Sequence, residues 1–450
     1  MRIVLLTLLA CDTEPDDSGG DTSAPVAPDC VVSDEAVQSV DVSVTAMPTV
    51  LQATWSLAEA PSARLRFVDS TGRWVENVPD DGLMVGLLPS SNVDWQLVWE
   101  SDGETRCSPV ATATTGALDA PSVPVEGALA PGYVVVPMID GASTAIILDT
   151  NGKVVWALAV PSTIDTQMIR ARLGRDRRSL LYHIRGIHPD TGAVVRVGLD
   201  GVELDRVALP GLEIDWDELE DGRIAGLDSE MRRYASGQVL RGDRIVVTDG
   251  ENAEVLWTVL DALGPDETYE EVEPGEGLNF TEFAHANGLS YDGTGYLVSL
   301  GDLDGVVRVG VDGSTEWVLG ADTADFSLGA DDIVAPHSAM PVDGGVIVYN
   351  RGREGDGESI CANATEFSLD TGAKTATVRS KVKSDPCLVT PFLGHAQRLA
   401  TGETLVDHSS AGLLQQVDAD GTVVFSAQLA PGGLFGFALH VGELATPIGN

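Results

Sequence analysis

The chain has 450 residues, a hydrophobic fraction of 43% and a formal charge of −42. That length and apolar content allow two folded parts with real cores, while so negative a field repels phosphate backbones and argues against a DNA or RNA partner. Mean hydropathy is near zero and no long apolar run follows residue 10, so no spanning helix is predicted beyond that point.

The first residues read as an address. Met1-Arg2 precedes an apolar run from Ile3 to Ala10, and Leu8-Leu9-Ala10-Cys11 resembles the lipobox of bacterial lipoproteins. The expectation is a signal peptide over 1–10, a lipid anchor on Cys11, and an exported, membrane-anchored protein in the periplasm or at the outer cell surface. Residues 11–29 are acidic, lack apolar bulk and read as a disordered linker. The other cysteines, Cys30, Cys107, Cys361 and Cys387, are even in number, as suits an oxidising compartment. The local pairing, Cys30–Cys107 with Cys361–Cys387, agrees with the domain division that follows. No Cys-x-x-Cys spacing suggests zinc.

Residues 30–115 alternate apolar and polar in short runs, for example Val50–Trp55, Ala63–Val68 and Val93–Trp99. Turn residues separate these runs, which predicts an immunoglobulin- or fibronectin-III-like β-sandwich. Residues 116–131, rich in Pro, Ala and Gly, read as a linker.

From residue 132 to 450 one unit recurs six times: an apolar strand, an Asp/Gly turn, and a second strand that often ends in an aromatic. Ala145–Trp156, Val306–Trp317 and Leu413–Phe425 are clear copies. The turn aspartates Asp149, Asp200, Asp249, Asp312, Asp370 and Asp420 follow one another at 49–63-residue intervals. Asp-Gly between alternating strands is a hairpin signal. One hairpin cannot bury its own apolar face, so the copies must stack. A six-bladed β-propeller, which protects its strand edges, is the expected architecture. Gly436–Val441 reads as a strand returning to close the ring. The overall fold class is therefore all-β, a sandwich followed by a propeller.

Three of the seven histidines share a setting: His285, His337 and His395 each stand beside a small turn that leads into an apolar strand. If those strands line a central channel, the three imidazoles converge at one mouth. A lone histidine there would more often serve blade-to-blade bonding, but three at a common phase point to a site. Three histidines are also a familiar zinc face, yet no metal site is assigned, because no adjacent-position pair and no carboxylate partner accompanies them. Anion chemistry is the alternative, with some groups gripping an oxyanion while one neutral imidazole attacks.

At these patches the chain resembles the bacterial arylsulfate sulfotransferase family. The matching segments are His285-Ala286-Asn287, His337 through Val348-Tyr349-Asn350-Arg351-Gly352-Arg353, and Gly394-His395-Ala396-Gln397-Arg398-Leu399. The resemblance implies transfer of a sulfuryl group from a phenolic sulfate ester to a phenol without a nucleotide donor and without a cofactor, by a ping-pong route. It makes His395 the transiently sulfated nucleophile. His285, His337 and Arg353 become its catalytic companions, and Asn287, Arg351 and Tyr349 contribute to substrate binding. Arg351 is the rival to Arg353 for the sulfate contact. The partners implied are small aryl sulfates and phenols. Rival functions are a non-catalytic propeller serving as a binding or surface module, and a metal-dependent propeller hydrolase.

Overall fold

The computed structural model describes residues 30–447 apart from 34–35, 59–61, 77–80, 141, 161–165, 187–191, 213, 274–277, 321–323, 327, 329–331 and 356–358. The expected signal segment 1–10, the anchor Cys11 and the linker 11–29 lie outside the described residues. The chain is nearly all β; the helices described are the four-residue turn Val259–Ala262 and two 3-10 turns.

Near the N-terminus two sheets form. The larger is built on Asn92–Ser101, flanked by Arg64–Val68 and Glu104–Cys107. The smaller joins Val37–Val44, Leu51–Leu57 and Leu83–Met84. Leu65, Phe67, Trp95 and Leu97 turn inward to meet Leu51, Ala53 and Met84, so alternation along each strand supplies a shared core. Cys30 is bonded to Cys107, where Val31–Val32 runs parallel to the last residues of Glu104–Cys107.

Six further sheets, here I to VI, follow one plan. The recurring Asp/Gly hairpin is the outer pair of strands in each. Its aspartate is used as a turn staple: Asp149 accepts from the backbone N–H of Asn151 and Lys153, and Asp312 from that of Ser314. This is the Asx-turn use of a short carboxylate. In sheet VI Asp418, rather than the expected Asp420, accepts from Asp420 and Thr422. The aromatics that end several hairpins reach across to the next sheet. Trp156 Nε1 donates to the Leu199 carbonyl, and Trp257 Nε1 to Thr315 Oγ1, both at 2.9 Å.

Apolar clusters lie between consecutive sheets: I with II, II with III, III with IV, IV with V, and V with VI. A further cluster joins VI back to I through Leu405, Leu414, Val134 and Val136, so the six sheets form a closed cycle. Stacking each sheet on its two neighbours buries the apolar faces that a single hairpin would expose. The returning segment is present as expected. Leu434–Phe435 and Leu439–Val441 pair with Tyr133–Asp140 and give sheet I its innermost strand.

The connector expected at 116–131 also carries structure: Val125–Gly127 pairs antiparallel with Val423–Gln428 on the outside of sheet VI. The acidic stretch 266–273 also carries structure, since Tyr269–Glu271 pairs with Ile224–Tyr234. Arg232 covers the Tyr269 ring at 4.1 Å and ties that strand down.

Candidate functional site

The innermost strands of sheets IV, V and VI are Ala286–Tyr291, Pro336–Val342 and His395–Arg398. Each is led in by a non-glycine residue in the left-handed region: His285 at φ 51°, Ala335 at φ 45° and Leu393 at φ 58°. Such a residue costs on the order of 1 kcal/mol and persists where surrounding structure imposes it. Counted from that kink, Asn287, His337 and His395 each stand two residues on, whereas His285 is the kink residue itself. The shared phase expected of the three histidines therefore holds for His337 and His395, and Asn287 is the counterpart in sheet IV. Asn287 and His337 are each the unpaired residue at a register shift, which re-aims the side chain.

The two equivalent histidines share a neighbour. Both are buried, and both pack against Phe437 of the closing segment, with ring centroids 5.4 Å from His337 and 5.9 Å from His395. Burial drives the His395 pKa down to about 3, helped by the Arg170 guanidinium. Burial also carries His337 well below its usual range, with Arg351 and His285 adding to the effect. Desolvation penalises the imidazolium, so both rings are neutral at physiological pH. His285 is half-buried, and its field reaches His337.

Several polar atoms in this region are buried without a protein partner: His395 Nε2, His337 Nδ1 and Asn287 Nδ2. All three belong to the opening residues of adjacent sheets, IV, V and VI. Asn287 is held by Ser299, which donates to its Oδ1 at 2.9 Å, leaving the amide nitrogen to face the site.

The two candidate arginines separate cleanly. Arg351 is partly buried and wedged between the segments leading to His337 and His395. Its Nε donates to the Ala335 carbonyl at 3.2 Å and its Nη1 to the Pro391 carbonyl at 2.8 Å. Its Nη2 reaches toward Gly301 and Asn287, where a Cβ on Gly301 would crowd both. Arg353 is exposed and forms an ion pair with Asp304, whose other role is to accept the Ala335 N–H. The geometry thus puts Arg351 among the histidines and gives Arg353 a part in holding the segment that leads to His337.

Tyr349 is wholly buried and its hydroxyl bonds Thr390 and His408, both at 3.0 Å. Its ring lies under Gly394, where a Cβ would fall 2.0 Å from the Tyr349 ring, and Gly394 also has φ 117°. Only glycine fits there. Tyr349 is therefore the floor beneath the residue preceding His395, and its side chain does not line the space between the histidines. The Cys361–Cys387 disulfide is formed and anchors the start of the same segment, with Ala362 N–H bonded to the Leu388 carbonyl.

Sequence reasoning missed the other side of the ring. Arg170, at the start of the inner strand of sheet II, is buried, pairs with Asp215 of sheet III, and stands 5.6 Å from the Phe437 ring centre. Asp215 also accepts the Leu289 N–H from sheet IV at 2.7 Å. Two residues further along, Arg172 pairs with Asp217, which accepts the Tyr291 N–H at 2.9 Å. Alternation places both links on one side of the strands. The signal was present as Arg170-Ala171-Arg172 and Asp215-Trp216-Asp217 before inner strands, but neither pattern is distinctive alone. Among the described residues no group of three or more His, Cys, Asp or Glu side chains is disposed to hold a metal ion.

Comparison with known proteins agrees with the sequence patches. No curated protein matches the chain. Among solved structures, a protein of unknown function from Bacteroides caccae is similar with a TM-score of 0.40 and 15% identity, over 69% of this chain and 98% of that one. Virginiamycin B lyase from Staphylococcus aureus is similar with a TM-score of 0.36 and 11% identity, over 68% and 87% of the two chains. Residues 132–421 match the arylsulfotransferase (ASST) family, a stretch that covers well over half of the sequence and includes His285, His337 and His395. The chain belongs to the arylsulfotransferase family.

Proposed function

We propose that this protein transfers a sulfuryl group from an aryl sulfate to a phenol by a ping-pong route through His395. The six cyclic sheets act as the blades of a propeller over residues 132–450, and residues 30–115 form an immunoglobulin-like sandwich beside it. The observation that carries the reading is His395: a buried, neutral imidazole with an unpartnered Nε2, set beside a second neutral histidine and a partly buried arginine.

A neutral ring has the lone pair that a cation lacks. Nε2 attacks the sulfur, the S–O bond to the aryl group breaks, and the phenolate leaves with the electron pair. Charge spreads over the sulfuryl oxygens, as in phosphoryl transfer, so positioned donors do most of the work. The Arg351 guanidinium, Asn287 Nδ2 and the one N–H of neutral His337 are the donors this reading assigns to those oxygens. His285 keeps contact with water and delivers the proton to the leaving phenolate. A phenol acceptor then attacks the sulfur of sulfo-His395, the S–N bond breaks, and the acceptor's proton passes back to the same side. Export and lipidation at Cys11 are part of the proposal, as are small phenolic partners and no nucleic acid.

The deciding experiment mixes the protein with a chromogenic aryl sulfate in the absence of acceptor and measures intact mass. One added sulfuryl group mapping to His395, discharged by a phenol, is the expected result. Release of phenolate with no covalent adduct, or none at all, would sink the covalent route. Turnover abolished by a chelator would point to hydrolysis by a bound metal instead.

A further inference from the structure

The proposed nucleophile is held in place by a residue that neither the repeat nor the family patches single out. His395 and Asp407 are direct partners across the first two strands of sheet VI, so their side chains leave the sheet on one face. What they meet is the closing segment of sheet I. Asp407 Oδ2 accepts the Ala438 N–H at 3.0 Å, while the Ala438 carbonyl faces the His395 ring. Between these groups and sheet II, Phe437 packs on His395, and its own N–H is bonded to the Ile169 carbonyl at 2.9 Å. Ser409 Oγ donates to the Gly436 carbonyl at 3.4 Å on the same closing segment, while Asp407 Oδ1 has no protein partner. Asp407 and His395 are both buried, at 1% and 2% exposure.

We propose that Asp407 is a positioning residue for His395: by holding the Ala438 peptide, it aims the Ala438 carbonyl at the imidazole and fixes which ring nitrogen carries the proton. A neutral imidazole has two tautomers, and the hydrogen bond at one nitrogen decides which is populated. A wandering carbonyl would let the wrong tautomer form, and that tautomer has no lone pair where sulfur arrives. Burial pushes the Asp407 carboxyl up to about 8, so at neutral pH it accepts the Ala438 N–H without placing a net charge beside His395. The backbone of the closing segment thereby does what a carboxylate does directly in a Ser-His-Asp triad.

The inference rests on His395 being the nucleophile, so its test must be readable without turnover. Histidine-labelled full-length protein, observed by 15N NMR, reports the tautomer of His395 directly. The wild type should show one neutral tautomer. Asp407→Ala should show a mixture or the other form, and Asp407→Asn, which keeps an acceptor oxygen, should restore the wild-type signature. In the assay with aryl sulfate, Asp407→Ala should slow adduct formation about 10- to 100-fold with little change in KM, and Asp407→Asn should recover most of it. A wild-type His395 averaged between tautomers would overturn the idea, as would an Asp407→Ala protein with an unchanged signature. If Asp407→Ala does not fold, the wild-type spectrum and a folded Asp407→Asn that loses the signature still decide against it. An Asp407-dependent tautomer without any sulfated His395 would instead retain the positioning role and defeat the nucleophile assignment.

Discussion

Sheets I–III and sheets IV–VI bring their innermost strands to the same place with opposite chemistry. In IV–VI the positions around the kink carry Asn287, His337 and His395, each with one buried polar atom left without a protein partner. In I–III the corresponding openings carry Phe437, Arg170 and Asp215. There the polar groups are spent on one another and on the backbone of sheet IV. One half is a closed network and the other an open one. A quasi-symmetric ring supplies six equivalent seats; chemistry arises where the occupants stop satisfying each other.

Four measurements test that contrast. The largest effect belongs to the open half: His395→Ala should lower phenolate release by at least about 10⁴-fold while circular dichroism stays unchanged. Loss of the fold instead would place His395 in the closed class. In the closed half, Arg170→Met should leave Asp215 as a buried, unpaired carboxylate and cost about 3–5 kcal/mol of stability. Thermal unfolding of the single variant and of the Arg170→Met/Asp215→Leu double variant checks this. The double variant should recover most of the loss, and a double variant no better than the single would contradict the pairing.

A smaller difference separates the two arginines of sheet V. Arg351→Ala should cost about 10²-fold in kcat/KM. Arg353→Ala, which loses an exposed pair with Asp304, should cost less than about tenfold; the reverse order would return the sulfate contact to Arg353. The last difference is in pH. The folded pKa of His395, about 3, lies below the unfolded value near 6.5, so the unfolded chain binds the extra proton first. Its contribution to stability is complete above pH 6.5 and declines as pH falls toward 3. Urea titrations of wild type and His395→Gln between pH 7 and 4 should show the steeper decline in the wild type. Equal slopes would mean that the ring is not desolvated.

The parts of this architecture legible in the sequence are those fixed over short distances. The outer hairpins could be read because Asp149 or Asp312 bonds a backbone N–H only two residues away, so the turn and its cause sit in one window. His337 and His395 could be read because histidine is scarce in this chain. The register could not: a single unpaired residue at Asn287 or His337 shifts the side chains without altering the pattern of apolar residues. Nor could the links from Arg170 to Asp215 or from Arg353 to Asp304, since 45 and 49 residues separate the partners. Asp407 hides for another reason. Its neighbours in sequence are an ordinary strand, and its role exists only once Ala438 has returned from the far end of the chain.

That return sets an order of assembly. Strand Val125–Gly127 on the rim of sheet VI and the segment 434–441 inside sheet I are separated by about three hundred residues of translation. Phe437 and Ala438 leave the ribosome after every other part of the pocket. A nascent or prematurely released polypeptide can therefore hold all three histidines and still lack the surface that orients them, so acquisition of activity should coincide with emergence of the 434–441 segment rather than with the appearance of β-structure.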